Sequence, residues 1–117
     1  MQVAHPLWSS GALARCTITD LELGFSASNT MEWDAIQSSL VFMEPLDVGR
    51  DEMIRALSVQ RLLAARGQKG RKVADLLIAA TAEAAGLTVL HYDRDFELIA
   101  SVTGQPHQWI VPPGSVD

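Results

Sequence analysis

Between Val73 and Tyr92 the sequence is apolar for almost its whole length and is cut once, by Gly86. From Val73 to Ala85 the apolar residues lie nearly all round a helical wheel, which suits a helix packed inside a core. Gly86 stands where the end of such a helix calls for a residue that adopts a left-handed conformation without strain. Leu87-Thr88-Val89-Leu90-His91-Tyr92 then follows as a continuous apolar run, the pattern of a parallel strand buried on both faces. A buried helix that turns directly into a buried strand is a repeating step of α/β architecture, and it leaves few other fold classes open.

The flanking sequence fits the same alternation. Thr19 to Ala27 reads as a helix with Thr19 as N-cap and Glu22 at capping-box spacing. Met31 to Leu40 reads as a second, short helix. Val41 to Leu46, apolar and closed by Pro45, suits a strand near a sheet edge. Asp47 to Arg66 carries Met53, Ile54, Leu57, Leu62 and Leu63 at helical spacing, and Gly67 stops it. Phe96 to Thr103 gives one more helix and Trp109-Ile110-Val111 a last short strand. With 117 residues, 48% of them hydrophobic, there is material for one core and too little for two. The expectation is a single domain over residues 1–117, with a parallel sheet sandwiched between helices (α/β/α).

Composition removes several functions. No stretch approaches the roughly 18 consecutive apolar residues of a membrane helix, and Met1 is not followed by a basic start and an apolar signal core, so the protein is expected in the cytoplasm. Cys16 is the only cysteine, which rules out a disulfide framework and a cysteine-based zinc site and suits a small core residue. His5, His91 and His107 share no metal-ligand spacing, Ser9-Ser10 has no nucleophile-elbow context, and Trp8, Trp33 and Trp109 are scattered as packing residues are. A net charge of −5 argues against binding nucleic acid by bulk electrostatics. The cations are nevertheless clustered: Arg61, Arg66, Lys69, Arg71 and Lys72 are five of the nine Lys and Arg residues. That run suits either a solvated helix end or contacts to a phosphate backbone, with Arg66, Lys69, Arg71 and Lys72 as the candidates.

The acids mark element boundaries. Asp75 lies among Val73, Ala74, Leu76, Leu77 and Ile78, where a charge costs desolvation unless a cation or metal meets it. Asp93 ends the apolar strand, the position from which α/β enzymes project working groups. Asp95, two residues on, suits a cap for the Phe96 helix, and Glu22 suits either its capping box or a site. Oxygen-rich clusters of this kind are what Mg²⁺ and Mn²⁺ require.

Taken together, Ile18-Thr19-Asp20-Leu21-Glu22-Leu23-Gly24, Val73-Ala74-Asp75-Leu76-Leu77-Ile78-Ala79-Ala80 and Gly86 to Phe96 resemble the VapC toxins of the PIN-domain superfamily, particularly those of actinobacteria. The resemblance runs from about Ala12 to Pro113. It implies a parallel sheet between helices, a homodimer, metal-dependent RNA cleavage and restraint by a VapB-type antitoxin. It also implies that Glu22, Asp75 and Asp93 are catalytic and ligate Mg²⁺ or Mn²⁺, with Asp95 as a possible helper. One departure is at the front. The family opens with a short apolar strand ending in an Asp, whereas Met1 to Pro6 carry no acid and the first acidic residue is Asp20. The chain therefore reads as N-terminally incomplete, with a central strand missing and one of four ligands absent. Two other functions fit parts of the pattern: a PIN-like module that binds a partner without catalysis, and a haloacid-dehalogenase-like phosphatase using Asp93 and Asp95. The second is disfavoured because only 22 residues follow Asp95.

Overall fold

The computed structural model describes residues 7–9, 12–68, 72–91 and 94–109. In chain order the elements are β1 (Leu7–Ser9), β2 (Ala12–Cys16), α1 (Thr17–Gly24), α2 (Thr30–Ser38), β3 (Glu44–Leu46), α3 (Arg50–Ala65), α4 (Val73–Ala85), β4 (Thr88–His91), α5 (Arg94–Thr103) and β5 (His107–Trp109). The five strands form one sheet in the order β3-β2-β1-β4-β5. β2 and β3 run parallel, as do β4 and β5. The expected α/β alternation is present.

The centre of the sheet differs from expectation. An open position was expected there, but β1 occupies it, pairing Leu7 with Ala14 of β2 and with Val89 of β4. β1 is antiparallel to both neighbours and carries no acid, so it is not the acid-terminated parallel strand that the family resemblance implies. Neither β1 nor β2 shows in the sequence pattern. β1 has three residues, and Arg15 breaks the apolar run of β2.

The α4–β4 step forms as its sequence demands. Gly86 caps α4 at φ +70°, in the region that costs a side chain most, and the Leu87 N–H reaches back to the Ala82 carbonyl at 2.9 Å. Ile78, Ala79, Ala80 and Ala82 of α4 are buried, together with Leu7, Cys16, Leu63, Val89, Phe96 and Ile99. β4 alternates, with Val89 and His91 buried and Thr88 and Leu90 half-buried, so it is less enclosed than its unbroken apolar run suggests.

Two boundaries are corrected. α1 starts at Thr17, after Cys16, so Thr19 lies inside the helix rather than at its N-cap and Glu22 belongs to no capping box. A side-chain cap occurs one helix later, where the Asn29 side chain accepts the Glu32 N–H at 2.8 Å and Glu32 Oε2 accepts the N–H of Ser28, the residue before the cap, at 3.4 Å. The Val41–Leu46 strand shortens to Glu44–Leu46, at the sheet edge as Pro45 requires.

Of the residues that the spacing of α3 singled out, only Leu63 faces the core. Ala56, Val59 and Leu63 are buried, whereas Met53, Ile54, Leu57 and Leu62 are exposed. The larger side chains of this helix therefore remain available to a partner. On the other side of the sheet Arg15 ties elements together: its Nε donates to Asp20 Oδ1 at 2.9 Å and its Nη1 to the carbonyls of Leu40 and Met43.

Candidate active site

Because Gly86 turns α4 straight into β4, and the helix packs on that strand, α4 runs back along it. The N-terminal end of α4 thus lies at the carboxyl end of β4, where α/β proteins gather their working groups. Asp75, in the first turn of α4, is 2% exposed. The positive end of the helix favours its anionic form.

α1 brings Glu22 to the same place. The chain from Cys16, the last residue of β2, into α1, where Thr19 and Glu22 three residues apart share one face, forms a strip. At one end of the strip the Cys16 thiol meets Thr81 Oγ1 on α4 at 3.8 Å. At the other end Glu22 lies near enough to Lys72, the N-cap residue of α4, for the ammonium charge to act on it. β2 and β4 both run antiparallel to β1, so α1 leaves the sheet at the same, carboxyl end where α4 begins. Burial raises the Glu22 pKa above the ordinary carboxylate value of 4.5, partly offset by Lys72. Burial likewise raises the Cys16 thiol, which keeps it protonated and inert.

The middle member of the strip is Thr19, 1% exposed, whose Oγ1 meets no hydrogen-bond partner among the described residues. Sequence reasoning treated Thr19 as a cap. Its three-residue spacing from both Cys16 and Glu22 was the available signal.

The remaining acids are placed unequally. Asp93 lies outside the described residues. Asp95 is half-buried in the first turn of α5, which begins at Arg94, so it sits inside the helix instead of capping it. Among the described residues no group of three or more His, Cys, Asp or Glu is arranged to hold a metal ion. Of the candidate acids, Glu22 in α1 and Asp75 in α4 lie on two helices that pack against each other.

Beneath the carboxyl ends of β4 and β5 lies an aromatic cluster. His91, fully buried, shares a hydrogen bond between its Nε2 and His107 Nδ1 at 2.9 Å. Its ring centroid is 5.3 Å from Phe96 and 4.9 Å from Trp109, whose indole N–H donates to Glu97 at 3.1 Å. The two histidines are thus strand-packing residues, as their lack of ligand spacing implied.

Of the basic candidates, Lys72 is exposed at the start of α4, next to the acids. Arg66 is exposed and donates from Nη1 to the Ser101 carbonyl at 3.3 Å. Lys69 and Arg71 lie outside the described residues.

Comparison with known proteins gives consistent results. The family profile described as PIN domain matches residues 2–102. Ribonuclease VapC51 of Mycobacterium tuberculosis is 54% identical over 116 residues, which are 99% of this chain and 85% of that protein. Ribonuclease VapC21 of the same species is 41% identical, covering 95% of this chain and 82% of its own length. Among solved structures, the DNA-bound VapBC from Salmonella typhimurium superposes with a TM-score of 0.69 at 24% identity, over 80% of this chain and 72% of that one. VapBC-5, a member of the VapBC family of toxin-antitoxin systems from Mycobacterium tuberculosis, gives 0.61 at 30% identity, over 83% and 79%.

Proposed function

The chain belongs to the PIN-domain family, and from that premise we propose that it is an endoribonuclease toxin of the VapBC kind, cutting RNA phosphodiester bonds with the help of a divalent ion. The observation that supports this reading is the burial of Asp75, 2% exposed in the first turn of α4. A carboxylate buried so deeply is strongly disfavoured unless a cation or hydrogen-bond donors compensate it. Glu22, Asp75 and Asp93 are the proposed catalytic ligands and Asp95 an accessory acid. The donor set is all oxygen, which suits Mg²⁺ or Mn²⁺. When bound, such an ion supplies a Lewis acid and a coordinated water of lowered pKa.

The residues of the chain have their own tasks. Glu22 and Asp75 fix the position of positive charge at the mouth of the sheet, and the exposed Lys72, with Lys69, Arg71 and Arg66, contacts the phosphate backbone and orients it without reading sequence. The same reading gives the chain a VapB-type antitoxin as partner and the cytoplasm as its place. No helix of the described residues is long and apolar enough to cross a membrane.

Ion binding should depend on pH with a definite sign. The ligand form of Glu22 is the carboxylate, and burial moves its titration above 4.5. Mn²⁺ affinity should therefore rise as pH climbs through the window above 4.5 and level off once Glu22 is ionised. The same shift acts oppositely on folding. The folded state binds this proton more tightly than the unfolded chain, so the contribution of Glu22 to stability is greatest below 4.5 and falls as pH rises through the folded-state value. Calorimetric titration with Mn²⁺ across this range checks the first statement. An affinity independent of pH there would remove Glu22 from the ligand set.

We also propose that the chain works as a homodimer through the outer face of α3 and α4. Met53, Leu57 and Val73 are 51%, 65% and 65% exposed and, with Leu76 and Leu77, line an apolar groove. Apolar surface of this kind is usually covered by a partner. Leu57→Asp should convert a dimer to a monomer in light scattering while leaving the melt of the monomer nearly unchanged. An unaltered mass would move the interface elsewhere.

A further inference from the structure

The Thr19 hydroxyl is an almost completely buried side-chain oxygen that the described residues leave without a hydrogen-bond partner. A helical threonine ordinarily gives its proton to a carbonyl three or four residues back. For Thr19 those residues are Cys16 and Arg15, which belong to β2 and not to a preceding turn of helix. Buried polar groups in native proteins are nearly always satisfied, by ordered water where the protein supplies no partner.

The position of this oxygen says what such a water would reach. Cys16 is held against Thr81, and α1, which packs on α4, leaves the carboxyl end of the sheet where α4 begins, so Thr19 lies beyond Thr81 toward the first turns of α4. Asp75 is the buried acid of those turns. We propose that Thr19 is a positioning residue of the ion site: its hydroxyl holds a water that it shares with the Asp75 carboxylate, and so fixes the direction of that ligand. The proposal rests on the reading of Glu22 and Asp75 as ion ligands. Mg²⁺ and Mn²⁺ keep several of their waters, and outer groups that orient ligands or bound water set ion affinity.

The test compares Thr19→Val, which keeps the shape and removes the hydroxyl, with Thr19→Ser, which keeps the hydroxyl, and with Asp75→Asn. Calorimetry measures Mn²⁺ binding, and thermal melts are recorded without metal. Thr19→Val is expected to bind Mn²⁺ about tenfold or more weakly, to melt no lower than the wild type, and to be rescued by Thr19→Ser. If Thr19→Val binds like the wild type while Asp75→Asn does not, the proposal is overturned and the ion site stands. A lower metal-free melt for Thr19→Val, with Thr19→Ser as weak in binding, would assign Thr19 to packing and also overturn it. Unchanged binding in Asp75→Asn would overturn the ion site and this proposal together.

Discussion

Asp75→Asn is expected to lower RNA cleavage by about 100-fold or more, because loss even of groups that only orient ion ligands costs 10–100-fold. Asparagine keeps the shape of the side chain and removes the charge that draws a divalent ion. Two opposed effects on folding accompany the change. A first-turn anion is lost from the positive end of α4, which costs about 0.3–1 kcal/mol, while a charge at 2% exposure no longer has to be buried. The melting temperature should therefore barely move. A variant that lost activity together with its cooperative melt would locate Asp75 in the fold and not in the chemistry.

The largest effect on stability is expected from Phe96→Ala, at about 3–5 kcal/mol. Phe96 is 2% exposed, packs its ring at a tilt 5.3 Å from that of His91, and fastens α5 to the carboxyl end of β4. For a domain of this size such a loss lowers the melting temperature by on the order of 10–25 °C, a large share of a total stability of about 5–15 kcal/mol. Phe25→Ala, by contrast, changes a side chain that is 85% exposed and should stay within about 0.5 kcal/mol in the isolated chain. Chemical denaturation of both variants decides the matter. Equal midpoints would mean that α5 is not docked through Phe96.

What the sequence revealed and what it hid follow from the strength of local signals. The α4–β4 step was legible because burial nearly all round a helix, a left-handed cap and an apolar strand each leave an unmistakable pattern, and all three are present. The family resemblance was legible on the same residues. β1 and β2 were not, because short strands are specified by their pairing across the sheet, and pairing is a property of the neighbours. The inward face of α3 was misread for a related reason. Periodicity reports that a helix has an apolar stripe, and this helix has apolar residues on two faces, Ala56, Val59 and Leu63 toward the core and Met53, Ile54, Leu57 and Leu62 toward solvent, so spacing alone did not choose between them.

Among the site residues, Asp75 stood out because a charge in an apolar helix has a cost that sequence alone exposes. Glu22 was ambiguous for as long as Thr19 could be its N-cap. The cap reading is removed by tertiary placement, with the strand β2 delivering the chain into α1 three residues earlier than a Thr19 cap requires. Asp95 shows the same effect at α5, where a two-residue shift of the boundary turns a cap into a first-turn residue.

The most direct test of the account is incubation of the purified chain with end-labelled RNA in Mn²⁺ or Mg²⁺ and, in parallel, with excess chelator. Internal cuts that need the ion, vanish with chelator and return when Mn²⁺ is restored are the predicted result. RNA left intact with either ion, or cut equally well in the presence of chelator, would contradict it.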